Sequence, residues 1–528
     1  MKTKIGLGLA VLVSALAGCD LEINENPNAA TGAVITPDLT FPDVVANTTY
    51  TQVYYFGYGS SAYLVGYQVP GGGIGGFGEV YTYSITASFV KECWTRTFDD
   101  LRDLQTIIRK SESEREYALY GGVSRIWKAY NYQLLVDAYG DVPYKEGVAG
   151  GAGVFAPVYD DDASVYRYLV EELDVAIAQL QASRTEAGLV SLTSASDPVF
   201  HGDVEKWIQF ANNLKLRLLV RGSGTEIDAF VEAAYGTFSA EGFLKEDVVV
   251  NPGYNANSEE NPYWATYHSS VSGVITQAGR FYLPSKYVFA FYDGTKLSDP
   301  VRGALVYRGY PAVPAWQLGD DSAERPNSPT YLWHVGTGIG TGASEAKGIL
   351  KSRSAGAPIF TASEVYFLLA EAALKGHELD GDVKTNFEAG IEASYGYLEL
   401  EGTSTTLSAG VDPREETEAY IAANEESYLV NIDRASTPEE KLEAIITQKY
   451  IALNILGSNE AWNEFRRTTY PRISGTDAVT TFVSSRSSSP RADKLPVRLI
   501  YPQDELNLNP NAPRIADAYS ARLFWDKD

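Results

Sequence analysis

HGDVEKWIQFANNLKLRLLVR, residues 201–221, carries a helix start, a buried face and a helix end in one stretch. Asp203 stands where a carboxylate accepts from the unpaired N–H groups of a first turn. Val204, Trp207, Ile208, Ala211, Leu214 and Leu218 then recur at helical spacing, which makes one apolar stripe. Lys215, Arg217 and Arg221 fall towards the C-terminal end, where cations suit the helix dipole, and Gly222 ends the run. The stretch predicts a helix that needs partners on its apolar side, and the chain outward from it must supply them.

Two further helices show both ends. Thr361 and Glu364 form a capping box with Phe360 and Val365 placed as a hydrophobic staple; the buried face is Val365, Leu368, Leu369, Ala372 and Ala373, and Gly376 stops it. Thr437-Pro438-Glu439-Glu440 gives a cap, a first-turn proline and a second capping-box glutamate, with Gly457 closing that helix. Trp94, Phe98, Leu101 and Ile108 mark a helix to near Lys110, and another runs from near Glu116 to Tyr139. Asp160 to Asp162 place negative charge before a face of Leu169, Leu173, Ala176, Ile177 and Leu180. In order these helices fall into pairs over 91–139, 161–221, 361–396 and 437–467. Serial pairs predict a mainly α scaffold of stacked, tetratricopeptide-like hairpins, although no identity repeat of about 34 residues is visible. Residues 50–90 and 236–358 have another character: rich in Gly, Tyr, Trp, Pro and Asn, with strand-like runs such as Tyr81 to Ile85. They read as long irregular segments with few short strands, and 397–430 and 468–493 as further polar connections. Long irregular segments on a regular scaffold are usually where function lies.

The formal charge is −25 from 43 Lys+Arg and 68 Asp+Glu, so no basic footprint exists for nucleic acid or for an anionic lipid surface. Lys2 and Lys4 precede an apolar run from Ile5 to Ala17, too short to span a bilayer but suited to a secretory signal. Leu16-Ala17-Gly18-Cys19 resembles the bacterial lipobox, which predicts a signal peptide over 1–18 and lipid on Cys19. Residues 19–38, with Pro27 and Pro37, read as the lipidated cysteine and its tether, and 39–528 as a single body. With Cys19 acylated, Cys93 has no cysteine to pair with and reads as a small buried side chain.

Catalytic motifs are sparse. Gly73-Ile74-Gly75-Gly76-Phe77-Gly78 has dinucleotide-loop spacing, but a strand-like run follows where a helix is required; 336–342, GTGIGTG, fails likewise. His201, His268, His334 and His377 show no zinc-hydrolase spacing, and no Gly-x-Ser-x-Gly elbow occurs. No cofactor or metal is called for, and calcium and paired-carboxylate chemistry stay open because neither needs a readable motif. The remaining signal is aromatic. Tyr67, Tyr81 and Tyr83 in the first irregular segment, and Trp264, Trp316, Tyr331 and Trp333 in the second, are the candidate ligand-binding rings. Trp94, which opens the helix after the first segment, joins them. Flat rings suit sugar faces or peptide side chains; for each, core packing is the plainer alternative.

These features together resemble the SusD/RagB-like nutrient-binding lipoproteins of the bacterial outer membrane. The resemblance is carried by Cys19, Asn26-Pro27-Asn28, AYGDVPY at 138–144, the 201–221 stretch and ASEVYFLLAEAALKG at 362–376. QKYIALNILGSNEAWNEFRRTTYP at 448–471 and LPVRLIYPQDELNLNP at 495–510 complete it. It implies four tetratricopeptide-like helix pairs and lipid anchoring at the cell surface. It also implies capture of an oligosaccharide or peptide without catalysis, and delivery to a SusC-like TonB-dependent transporter. Trp207, Trp462, Arg466 and Arg467 belong to the matched helices and read as packing and internal ion pairs. Two rivals stand beside it. A lipid-anchored glycoside hydrolase would show a close carboxylate pair in an aromatic cleft, and a periplasmic tetratricopeptide adaptor would show an apolar groove and no small-molecule pocket.

Overall fold

The computed structural model describes residues 36–333, 347–404 and 406–527. Ten principal helices carry it: α1 Pro37–Thr51, α2 Glu92–Ser113, α3 Ala118–Tyr139, α4 Asp162–Ser183 and α5 Val204–Gly222, then α6 Ala362–Leu374, α7 Val383–Glu399, α8 Pro413–Ala423, α9 Pro438–Ala452 and α10 Ser458–Thr468. The predicted caps form: Asp203 accepts from Lys206 N, Thr361 from Glu364 N and Thr437 from Glu440 N, and within the acidic run before α4 Asp161 accepts from Ser164 N. In the first half of the chain α2 packs on α3, α3 on α4, and α4 on α5. α6 packs on α7, giving the third pair. The fourth pair is opened out, since α9 packs chiefly on α6 while α10 lies against the segment that follows α1. The fold is thus mainly helical, as the serial pairs predict, with strands among the described residues reduced to two antiparallel ribbons. β1 Val69–Pro70 pairs with β3 Tyr282–Leu283, and β2 Val248–Val250 with β4 Ala357–Phe360.

Several local expectations give way to tertiary contacts. Lys215, Arg217 and Arg221 do not merely line a helix end. All three are buried, and Lys215 Nζ reaches Asp174 at 2.6 Å. Arg217 donates twice to Glu364 at 3.0 Å, and Arg221 to Asp137 at 2.5 Å and Glu460 at 2.6 Å. Glu364 therefore cannot return to its own cap, and the capping box at α6 is one-sided. Gly457 does not close α9, which ends at Ala452; it is the residue before α10. The segment 50–90 is helical through Leu64, and Tyr81 lies in a short helix, Gly78–Thr82, rather than in a strand. Within 397–430 the structure adds α8. Residues 236–333 keep the expected character: short helices, tight turns and the two ribbon edges.

Trp207 is fully buried with Nε1 donating to Asp197 at 2.9 Å. Arg467 donates to Glu371 at 2.6 and 2.7 Å, and the Arg466 guanidinium lies 3.7 Å from the Trp462 ring centre. These are the packing and internal ion-pair roles expected of them. Cys93 is buried, and that burial pushes its thiol well above the ordinary value, so it is inert core. Among the described residues no helix is long and apolar enough to cross a membrane. Cys19, the tether to residue 35, His334 and the 336–342 glycine run lie outside the described residues.

Candidate functional site

α1 does not end at Thr51; it widens into a π-helix, Gln52–Ser61. Ala62 N donates to Gly57 O across the wide turn, and Ser60 Oγ bonds Tyr55 O at 3.1 Å and Phe56 O at 2.8 Å. π-helical turns are rare and concentrate at functional sites. This one sets out a ladder of half-buried tyrosines. Tyr50 and Tyr54 stack at 5.4 Å and 9°, Tyr54 and Tyr58 follow at 5.3 Å, and Tyr55 stands edge-on to Tyr54 at 5.0 Å. Arg96 of α2 lies 5.4 Å from the Tyr50 ring centre and 5.7 Å from that of Tyr55.

The ladder continues inward. Tyr58 stacks on Tyr282 of β3 at 5.7 Å, and Tyr63 donates to the Tyr282 hydroxyl at 2.6 Å. Phe77, half-buried, meets Tyr282 at 6.1 Å and Tyr81 at 5.7 Å. Tyr267 packs edge-on to both Tyr58, at 5.7 Å, and Trp333, at 5.5 Å. Beside them Trp264, His268 and Tyr331 form a parallel stack with separations of 3.8 and 4.0 Å. Burial raises the Tyr50, Tyr55 and Tyr58 hydroxyls and pushes Tyr282 up to about 12, so these four phenols keep their protons at ordinary pH.

The glycine-rich loop over residues 71–76 is fastened beside this platform. Gly71 N donates to Phe281 O and Gly72 N to Pro326 O, both at 2.6 Å. Arg325 donates to Tyr81 Oη at 2.7 Å and Ile74 O at 2.6 Å. A Cβ on Gly72 would come within 2.7 Å of Asn327 Oδ1, which explains a glycine there. The loop precedes only the five residues of Gly78–Thr82, and its first amides are spent on protein carbonyls. It shapes the platform and is not built as a phosphate cradle.

Of the eight rings chosen from sequence, Tyr81, Trp264, Tyr331 and Trp333 belong to this aromatic network. Tyr67 instead packs on Tyr450 at 4.7 Å, and the Tyr83 hydroxyl accepts from Ser484 N at 3.0 Å. Trp94 packs among Phe98, Tyr139 and Tyr501, at the base of a separate cleft of about 460 Å³. Trp316 donates to Asp320 O at 2.8 Å with Lys286 4.9 Å from its ring centre. Tyr67, Tyr81, Tyr83, Trp94, Trp264 and Trp333 are buried, which is the plainer alternative of core packing; Trp316 and Tyr331 keep part of their rings accessible. Tyr50, Tyr54, Tyr55 and Tyr58 were the missed residues. Their signal is the four-residue spacing of 50, 54 and 58, hidden by Gly57 and Gly59.

Among the described residues no cluster of His, Cys, Asp or Glu is arranged to hold a metal. One carboxyl pair stands out: burial and then Glu399 push Glu416 up to about 7, where α7 meets α8. Lys347 neutralises Glu399 at 2.6 Å.

The comparisons with known proteins agree on one family. The model described as "Starch-binding associating with outer membrane", a SusD-like family, matches residues 31–266. The model described as "Susd and RagB outer membrane lipoprotein" matches residues 342–526. No curated protein matches the chain. A solved SusD homolog from Bacteroides uniformis is 22% identical, with a TM-score of 0.67 over 93% of this chain and 99% of that one. A chitin-binding SusD homolog from Flavobacterium johnsoniae is 20% identical, with a TM-score of 0.65 over 93% and 97%. A SusD-like protein from Bacteroides thetaiotaomicron is 21% identical, with a TM-score of 0.64 over 92% and 98%. With its helical scaffold intact and two family models spanning most of its length, this chain belongs to the SusD/RagB-like family of outer-membrane lipoproteins.

Proposed function

We propose that this protein, lipidated at Cys19 and tethered to the cell surface through the residues that precede α1, captures an oligosaccharide and passes it intact to a SusC-like TonB-dependent transporter. The observation that carries the reading is the tyrosine ladder of the π-helix. Stacked, neutral, partly accessible rings with hydroxyls at their edges suit the alternation of C–H faces and equatorial hydroxyls on a sugar chain. Tyr331, in the stack with His268 and not fully buried, is a further contact; Tyr81, Trp264 and Trp333, buried in the same network, hold it in place. The family match supports surface nutrient capture, and the chitin-binding relative makes chitin oligosaccharides the first ligand to try. Delivery requires release, so binding is moderate rather than tight.

The test uses soluble protein beginning at Asp20, titrated with chitin and starch oligosaccharides and with peptides, and the ligands checked for cleavage. Saturable binding of an intact oligosaccharide, abolished in Tyr54→Ala/Tyr58→Ala, is the expected result. Turnover of any ligand would overturn the non-catalytic reading and direct attention to Glu399 and Glu416. Peptide binding alone would overturn the choice of glycan.

A further inference from the structure

Behind Tyr81 lies a second cleft, of about 500 Å³, built from residues 469–494 against Gln317. It adjoins the platform through Ser484, whose hydroxyl donates to Tyr81 O at 2.5 Å, and Arg486, 5.7 Å from the Tyr81 ring centre. Its base is apolar, formed by Phe465, Ile473 and Val483, and its wall is hydroxylic, with Ser474, Thr476 and Ser485 exposed. A hydrophobic floor beneath a ring of hydroxyls is the chemistry of a sugar subsite rather than of a protein interface.

The charge of this segment runs against that of the chain. A protein of formal charge −25 gathers Arg472, Arg486, Arg491 and Lys494 here against only Asp477 and Asp493. Asp493 is spent: it accepts from Arg491 at 3.1 and 2.9 Å and from Leu495 N at 3.0 Å. Arg486 is spent on Asp321 at 2.7 Å. Arg472 and Lys494 are the cations that line the cleft itself. Arg472 gives its Nε to Glu443 at 2.8 Å but keeps most of its side chain exposed. Lys494, exposed, has a long 3.3 Å contact from Nζ to Ser489 O.

The geometry points to this cleft as a subsite for a sugar unit bearing one anionic group, either a uronic acid carboxylate or a sulfate ester, held between Arg472 and Lys494. The assignment deepens the glycan reading of the platform and rests on it for the rest of the oligosaccharide. An exposed ion pair contributes modestly, so the cleft discriminates by charge rather than supplying the bulk of affinity.

Titration of the soluble protein with oligogalacturonide, with a neutral galactose oligosaccharide of the same length and with its sulfated form tests this. A charged ligand is expected to bind about tenfold more tightly than the neutral one at low salt, with the preference shrinking as salt rises. Which charged ligand shows it distinguishes carboxylate from sulfate. In Lys494→Gln the preference should shrink, and in Arg472→Gln/Lys494→Gln it should disappear, with the melting temperature checked because Arg472 also pairs with buried Glu443. Lys494→Glu, at an exposed position, should reverse the preference without affecting folding. Equal affinity for all three ligands, or a preference that survives both variants, overturns the assignment. Tyr54→Ala/Tyr58→Ala should reduce charged and neutral ligands alike, so failure of the platform and failure of the cleft give different patterns.

Discussion

Tyr54 and Trp264 are both aromatic, but only Tyr54 leaves part of its ring for a ligand. Tyr54→Ala is therefore expected to weaken oligosaccharide binding by about 1 kcal/mol with little change in melting temperature, because a stacked ring contributes on that scale. Trp264→Ala is expected to do the reverse, costing about 3–5 kcal/mol of stability by opening a cavity. Calorimetric titration and thermal denaturation of both variants separate the two roles; equal losses of stability would remove Tyr54 from the site. A residue-scale pH effect follows from Asp100 of α2. It is buried, and burial pushes its carboxyl up to about 8, even though Thr48 Oγ1 donates to it at 3.0 Å. Between about pH 4 and pH 8 the folded chain keeps a proton that the unfolded chain has lost, so this group's contribution falls as pH rises. Asp100→Asn mimics the protonated form. Its melting temperature should exceed that of the parent protein more at pH 8 than at pH 5, and an equal difference at both would refute the shift.

At the scale of elements, α2 to α6 were readable because caps and apolar stripes are local signals. Asp203, Asp161 and Thr361 mark starts that the structure keeps. The second half of the α6 capping box was not readable, because Glu364 answers to Arg217, a residue of α5 far off in sequence. Nor was the π-helix. Gly57, Gly59 and a run of tyrosines give no apolar period, and the segment is held by packing against α10, which no local window contains. The candidate site was legible as a region, since 50–90 and 236–358 contain nearly all the platform, but not as residues. Rings chosen for their type fell mostly into the core, while the ladder depended on a helix that was not expected. The wide turn itself can be tested. Deleting Gly57 should restore ordinary helical spacing and turn Tyr58 away from Tyr54 and Tyr55. Far-UV circular dichroism should be unchanged while oligosaccharide binding is lost; retained binding would show that the π-helical spacing is unimportant.

Across the whole molecule, one buried ion network ties the two halves together. Arg221 of α5 joins Asp137 of α3 to Glu460 of α10. Arg217 of α5 reaches Glu364 of α6, and Arg467 of α10 reaches Glu371 of α6 and its own Glu464. Burial alone would raise Glu371, but Arg467 and Lys375 outweigh it and bring the carboxyl down to about 2; burial would raise Glu464 too, but Arg467 and Lys449 hold it well below the usual carboxylate value. Groups lowered in this way stabilise the fold above the unfolded value near pH 4, and that contribution is lost as pH falls through the folded value. Other carboxyls act oppositely. Burial pushes Asp162 and Asp247 up to about 6, as it does Asp100 to about 8, so their contributions decline as pH rises from about 4. The two sets cross. Urea unfolding at a series of pH values should give a maximum of stability near about pH 4, falling below it as Glu371 and Glu464 take up protons and above it as the unfolded chain releases the protons that Asp100, Asp162 and Asp247 keep. Glu371→Gln should flatten the acid limb and lower the maximum, because Arg467 loses its charge partner in a buried place. Asp100→Asn should flatten only the alkaline limb. A profile that stays level from pH 3 to pH 8 would mean that these carboxyls titrate alike in the folded and unfolded chain.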